Sequence, residues 1–251
     1  MLHRTENLIG MHIHASDGDI GKVEDVYFDD QRWAVRYLVV ETGGWLLDRK
    51  VLISPFAVKK VDWVNRIVKI ELNQKQVKES PHVDTDKPVS RQHETDLLSY
   101  YGYPNYWNGL FLWGTLPYPI TPTEIIQPVN DIESGQPVVT GDPHLRSMQE
   151  VVGYHLHATD GSIGHLDDFL LDSTSWAIRY IVVDTRNWWP GKHVVIPPQW
   201  IKQLDWVEKI VTVDVTRDTV QRASEYDPEI EFSRELEADL YRHSQRPNYW
   251  Q

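Results

Sequence analysis

Slid along itself by 143 residues, the chain matches its own sequence without a gap from Gly10 to Trp107. The block Ile9-Gly10-Met11-His12-Ile13-His14-Ala15-Ser16-Asp17-Gly18-Asp19-Ile20-Gly21 lies over Val152-Gly153-Tyr154-His155-Leu156-His157-Ala158-Thr159-Asp160-Gly161-Ser162-Ile163-Gly164. Trp33-Ala34-Val35-Arg36-Tyr37-Leu38-Val39-Val40 lies over Trp176-Ala177-Ile178-Arg179-Tyr180-Ile181-Val182-Val183. Each copy closes on Pro-Asn-Tyr-Trp, at 104–107 and again at 247–250. Roughly four positions in ten are identical, and so long a gap-free register marks a duplication, with too few copies for a solenoid. We therefore read a first repeat over 1–107, a proline- and aromatic-rich linker over 108–144, and a second repeat over 145–251. The linker carries Phe111, Trp113 and Tyr118. Freely disordered segments rarely hold so many aromatics, so much of it is expected to be ordered.

Within a repeat the pattern is that of strands broken by turns. Ile9, Met11 and Ile13 alternate with Gly10, His12 and His14, the period of a half-buried strand. Asp17-Gly18 supplies a tight hairpin turn, because both residues tolerate positive φ. Further strands are expected over about 20–28, 33–41, 51–53, 58–63 and 67–72, with Asp29-Asp30-Gln31-Arg32 as a four-residue loop. A short helical turn over 73–80 should stop at Pro81. A longer helix should be capped by Ser90 and stopped by Gly102, with Ser233 opening its counterpart in the second repeat. Leu97 and Tyr101, like Leu236 and Leu240, are four apart and share a helix face. Sequential antiparallel hairpins in so short a chain predict closure, since closure removes exposed sheet edges. The expected fold is mostly β: two tandem small β-barrels, each with a short C-terminal helix. Duplicated domains tend to mimic a symmetric pair, so the repeats are expected to pack as a pseudo-dimer.

Composition narrows the function classes. The chain has no cysteine, which removes thiolate catalysis, disulfides and cysteine-held metal. Its net charge is −12. Residues 1–107 carry 14 basic and 16 acidic groups, while 108–251 carry 11 and 21. Backbone-driven nucleic-acid binding needs clustered cations, so no nucleic acid is expected as a partner. Arg49-Lys50 and Lys59-Lys60 are the basic pairs of the first repeat and read first as solvated loop ends. The N-terminal residues hold no apolar run resembling a secretion signal, and no stretch is apolar for the roughly 20 residues that span a bilayer. A cytoplasmic location without a membrane span is the expectation. No Ser-His-Asp order, phosphate-binding glycine loop or His-Glu-x-x-His is present, so no enzyme activity and no cofactor are expected.

The ordered set Gly10, Asp17-Gly18, Ile20-Gly21-Lys22-Val23, Asp25, Asp29 and Arg36-Tyr37-Leu38-Val39-Val40 resembles the PRC-barrel family. The set recurs as Gly153, Asp160-Gly161, Ile163-Gly164, Asp168, Asp172 and Arg179-Tyr180-Ile181-Val182-Val183. The helix and Pro-Asn-Tyr-Trp tails are similar to those of free-standing bacterial members. The family includes the cytoplasmic domain of the photosynthetic reaction-centre H subunit and the C-terminal domain of a ribosome-maturation factor. The resemblance implies a non-enzymatic adaptor barrel that docks on a larger assembly, with an unidentified protein as partner. The chain departs from both relatives: it shows no transmembrane helix, and it is acidic where an RNA-facing module would be basic. It is expected as a monomeric pseudo-dimer or a homodimer.

Three groups of side chains are candidates for chemistry. His12 and His14 share one strand face, as do His155 and His157, and a His-x-His pair can hold zinc or nickel if a third ligand such as Glu6, Asp17 or Asp19 joins it. The default for such residues is a solvated strand face, and a small-ligand- or metal-binding protein is the alternative to the adaptor. Asp25 with Arg36, and Asp168 with Arg179, are expected to face each other as cross-strand ion pairs of about 0.2–1 kcal/mol. Most of the eleven tryptophans read as core. Trp113, Trp188 and Trp189 fall in predicted loops and are candidates for an interaction surface or ligand pocket.

Overall fold

The computed structural model describes residues 1–46, 49–82, 89–120, 144–185, 193–223, 225–227, 230 and 232–244. Trp188 and Trp189 lie outside the described residues, as does the linker over 121–143. In chain order the first strands are β1 (Leu2–Arg4), β2 (His12–Ala15), β3 (Gly18–Asp29), β4 (Ala34–Glu41), β5 (Lys50–Ile53), β6 (Val58–Asp62) and β7 (Ile67–Ile70). Helices α1 (Gln74–Lys78) and α2 (Arg91–Tyr101) follow. The second series is β8 (Leu145–Ser147), α3 (Met148–Val151), β9 (His155–Ala158), β10 (Gly161–Asp172), β11 (Ile178–Asp184), β12 (His193–Ile196), β13 (Ile201–Asp205), β14 (Ile210–Val213), α4 (Arg217–Arg222) and α5 (Arg234–Ser244).

The strands form two seven-stranded sheets of the same order, β5-β4-β3-β2-β7-β6 and β12-β11-β10-β9-β14-β13. The fold is mostly β, with two tandem β domains, as the repeat predicted. The neighbours β2 and β7 pair in parallel, as do β9 and β14, where sequential antiparallel hairpins were expected. The pairings form an open path, and barrel closure is not detected among the described residues. The two ends of the first path, β5 and β6, are successive in the chain. A single 3₁₀ turn joins them, started by Ser54 with Pro55 in its first position.

Each sheet takes its seventh strand from an unexpected stretch. β8 pairs on β3, setting Tyr27 opposite Ser147 and Asp29 opposite Leu145, while β1 pairs on β10. In the 143-residue register these are the same strand of the two repeats. The compact units therefore cut across the expected boundaries. One holds Met1, Thr5–Gln149 and Asp172–Ala177, and the other holds Leu2–Arg4, Glu150–Leu171 and Ile178–Gln251.

Local sequence explains the corners. The turn from β3 to β4 is held by Asp29, whose Oδ1 accepts from the amides of Gln31 and Arg32. It ends on Trp33 at φ +52°, and Trp176 repeats this at φ +58°. Gly21 sits at φ +138°, where a Cβ would lie 2.0 Å from the Glu41 carbonyl oxygen, so only glycine fits. The inward residues Ile13, Ile20, Val26, Phe28, Leu38, Val40 and Val68 are fully buried. α2 is capped by the Ser90 hydroxyl and stopped by Gly102 at φ +72°, as its sequence predicted. Its Leu97 packs with Tyr37, Val39, Leu52, Val89 and the β8 residue Leu145, with Tyr101 against the cluster.

Candidate interaction site

The strongest surface feature of the first unit lies just beyond α2, where the chain runs from Pro104 to Ile120. Leu110 is 99% exposed and Phe111 is 53% exposed, with Tyr118 also exposed. These apolar side chains sit on a tightly held backbone. Arg32 donates through Nη1 to the carbonyls of Tyr106 (3.2 Å) and Phe111 (2.7 Å). Through Nη2 it donates to Trp107 (3.3 Å) and Gly109 (3.2 Å). One planar guanidinium thus holds four backbone carbonyls of the segment through its fork of donors. Phe111 bridges Gly114, and Trp113 bridges Leu116, so the segment folds back on itself as a small hairpin.

Beneath it lies a buried polar network. Trp113 is fully buried, its Nε1 donates to the Ser175 carbonyl (2.7 Å), and its ring meets Phe56 edge-on. Arg36, also fully buried, stacks its guanidinium 3.9 Å from the Tyr106 ring centre and 4.7 Å from that of Trp113. It donates to the Leu112 carbonyl (2.9 Å) and to Asp29 Oδ2 (3.2 Å). Burial pulls the Arg36 pKa below its ordinary value. The Tyr106 hydroxyl donates to Glu94 Oε2 in a very short bond and accepts from Arg91 Nη1 (3.0 Å). Arg91 also pairs with Glu94 Oε1 (3.1 Å). Burial pushes the Glu94 carboxyl from 4.5 up to about 7, although Arg91 opposes the shift. Cation–π contacts, a buried ion pair and four carbonyl bonds together hold a backbone whose tip is apolar and wet.

Comparison with known protein families matches residues 2–77 to the PRC-barrel domain. Residues 2–77 are a PRC-barrel domain. No curated protein matches the chain. The PRC-barrel stretch runs from β1 into α1, and the second sheet repeats its strand order. A PRC-barrel domain points to a protein-interaction module in general. No described helix is long and apolar enough to cross a membrane.

Several expected side-chain roles change in the folded PRC-barrel unit. Asp25 does not face Arg36. Bulges after Val23 and after Tyr27 set Asp25 opposite Val39 and Phe28 opposite Val35, because the turn extends to Trp33 instead of ending at Arg32. Arg36 pairs instead with Asp29. Asp25 accepts from the Ser147 hydroxyl and the Val26 amide, and burial raises its pKa. In the second unit Asp168 is opposite Val182, not Arg179, and its ion pair is with Arg4 (2.8 Å). The same shifted turn is the reason. Trp113 is core, not surface, and the exposed apolar residues are its neighbours Leu110 and Phe111. A Leu-Phe pair in a Gly- and Pro-rich stretch was the available signal, outweighed in a sequence reading by the larger tryptophans.

The histidine pairs point outward as expected, but differ between repeats. His12 Nδ1 lies 2.9 Å from Asp19 Oδ2, and His14 Nε2 lies 3.4 Å from the same oxygen. The second repeat has Ser162 where the first has Asp19, and His155 instead meets the His165 ring at 4.7 Å. Neither pair falls among the described groups of three close metal-ligating side chains. Lys59 and Lys60 line a cleft of about 220 Å³ with Trp63, Pro119, Ser173 and Trp176, which extends the surface beside the displayed segment.

Proposed function

We propose that this chain is a non-enzymatic adaptor that docks on a larger assembly through the segment carrying Leu110 and Phe111. The observation that carries this reading is a 99% exposed leucine beside a half-exposed phenylalanine on a backbone fixed by Arg32. Leaving such side chains in water forgoes about 1.5–3 kcal/mol each, and a fold gains nothing by holding them rigidly there. A protein partner recovers that free energy, and the rigid backbone lowers the ordering cost of binding. The PRC-barrel match supports the same class of role.

A photo-crosslinking residue placed at Leu110 tests the reading in cells, with the same residue at Val207, 87% exposed in the second unit, as control. The expected result is a discrete crosslinked protein at position 110 that is absent at 207. The reading is wrong if position 110 gives no specific product, or the same products as 207.

A further inference from the structure

The second sheet carries a row of metal-ligating side chains lying directly across four strands. His155 is opposite His165, His165 is opposite Asp184, and Asp184 is opposite His193. Directly opposed residues of an antiparallel ladder share a face, so these side chains line up on one side of the sheet. A bulge between Leu166 and Asp168 adds Asp167 to the group. One ligand atom each from Asp167, Asp184 and His193 lies within 4.8 Å of the other two. His193 Nε2 is 3.7 Å from Asp167 Oδ2. Metal bonds of about 2.0–2.2 Å need donor–donor edges of about 3.3–3.6 Å in a tetrahedron, so modest side-chain rotation closes the site.

The first repeat gives an internal comparison. At the matching positions it has His12, Lys22, Glu41 and Lys50, opposed in the same order, with Glu24 in the same bulge. There Lys50 Nζ sits 2.9 Å from Glu24 Oε1, so the cation among the carboxylates is a tethered ammonium. In the second repeat both lysines are replaced by histidines, at 165 and 193, and both glutamates by aspartates, at 167 and 184. An ammonium has no lone pair to give, whereas an imidazole does. The row itself thus exchanges both ammonium groups for imidazole donors, and the cation that remains beside it is the Arg4 guanidinium on Asp167. Arg4, 3.0 Å from Asp167 Oδ2 and 2.8 Å from Asp168 Oδ2, holds these two carboxylates in place, as an outer partner of a metal ligand does.

We propose that Asp167, Asp184 and His193 bind a divalent transition-metal ion where the first repeat places a lysine ammonium, with His165 the next donor along the row. Mixed carboxylate and imidazole donors suit zinc, with positions left open to solvent.

Isothermal titration of the full chain with zinc chloride tests this, on wild type, His193→Lys, Asp184→Asn and the double variant His12→Asn, His14→Asn. The expected result is a zinc equivalent that is lost in His193→Lys, weakened about tenfold or more in Asp184→Asn, and unchanged in the double variant. His193→Lys copies the residue the first repeat already carries, so its metal-free melting temperature should stay near that of wild type. If that variant fails to fold, Asp184→Asn decides. The proposal is overturned if wild type takes up no zinc, if the zinc equivalent survives in folded His193→Lys, or, where Asp184→Asn decides, if its zinc affinity stays within about threefold of wild type.

Discussion

Glu94 ties the stability of the first unit to pH in a direction opposite to that of most acidic residues. It is 2% exposed, and burial raises its pKa from 4.5 to about 7. The folded state therefore holds this proton more tightly than the unfolded chain does. Stability from Glu94 is fully present below about pH 4.5 and is lost as pH rises through about 7. At about 1.4 kcal/mol per pH unit over that interval, the loss reaches about 3 kcal/mol. For a unit of this size that corresponds to a fall in melting temperature on the order of 5–10 °C.

Glu94→Gln removes the titration while keeping an oxygen that accepts from Tyr106. Melting curves of wild type and variant between pH 5 and 8 isolate the effect as a difference profile. Asp25 and Asp30, whose pKa values burial also raises, titrate in both proteins and cancel. Wild type is expected to lose stability relative to the variant as pH rises, most steeply midway between 4.5 and about 7, and to level off above that. Parallel profiles would refute the argument. So would a wild type that gains on the variant at high pH, because the ion pair with Arg91 would then outweigh the cost of burying the carboxylate.

Further outcomes follow from packing. Gly21→Ala should prevent native folding of the first unit, because its Cβ would lie 2.0 Å from the Glu41 carbonyl oxygen. Gly43→Ala, at φ +61° with nothing within 4 Å, should cost only about 1 kcal/mol of left-handed backbone, and near-UV circular dichroism separates the two. Arg36→Met leaves Asp29, 4% exposed, without its buried cation and should cost about 3–5 kcal/mol in urea denaturation. The same variant should speed proteolysis within 108–120, since the Leu112 carbonyl loses its donor. Arg4→Ala should destabilise the second unit by about 3 kcal/mol, by taking the guanidinium from the buried Asp168, and unchanged denaturation would contradict that ion pair's role.

Much of the architecture was legible because it rests on local chemistry. Asp17-Gly18, the Ser90 cap and the Gly102 stop each act within a few residues, and each element appears where its signal stands. What was not legible depends on distant backbone. Leu2-His3-Arg4 is too short to show a period, and its place on β10 is set by tertiary pairing. The ion-pair register failed because Trp33 ends its turn in the left-handed region, which tryptophan seldom enters, so the residues predicted to oppose each other slid out of line. The exchange of Lys22 and Lys50 for His165 and His193 can be read by overlaying the repeats. That they form one row could not, because bulges between Ser162 and Gly164, Leu166 and Asp168, and Leu170 and Leu171 set which residues of these successive strands stand opposite each other.

The duplication itself separates structural from functional polar residues. Each repeat buries a Tyr–Glu pair with an arginine on the glutamate: Tyr37 and Glu94 with Arg91 in one, and Tyr180 and Glu237 with the exposed Arg234 in the other, with Tyr180 donating to Glu237 at 2.9 Å. A network held in both copies serves what the copies share, which is the docking of the C-terminal helix on its sheet. Two differences between the copies bear on the surface. Arg32, which holds the exposed Leu110 segment, is matched by Ser175, and the lysines of the first ion row are matched by ligating histidines. The duplicated scaffold thus carries two surface chemistries, an apolar display on the linker segment held by the first repeat and a cation site on the second repeat. A substitution at Arg32 should leave zinc uptake untouched, and one at His193 should leave the Leu110 crosslink untouched. Loss of both functions from either single change would show that the repeats act as one site rather than two.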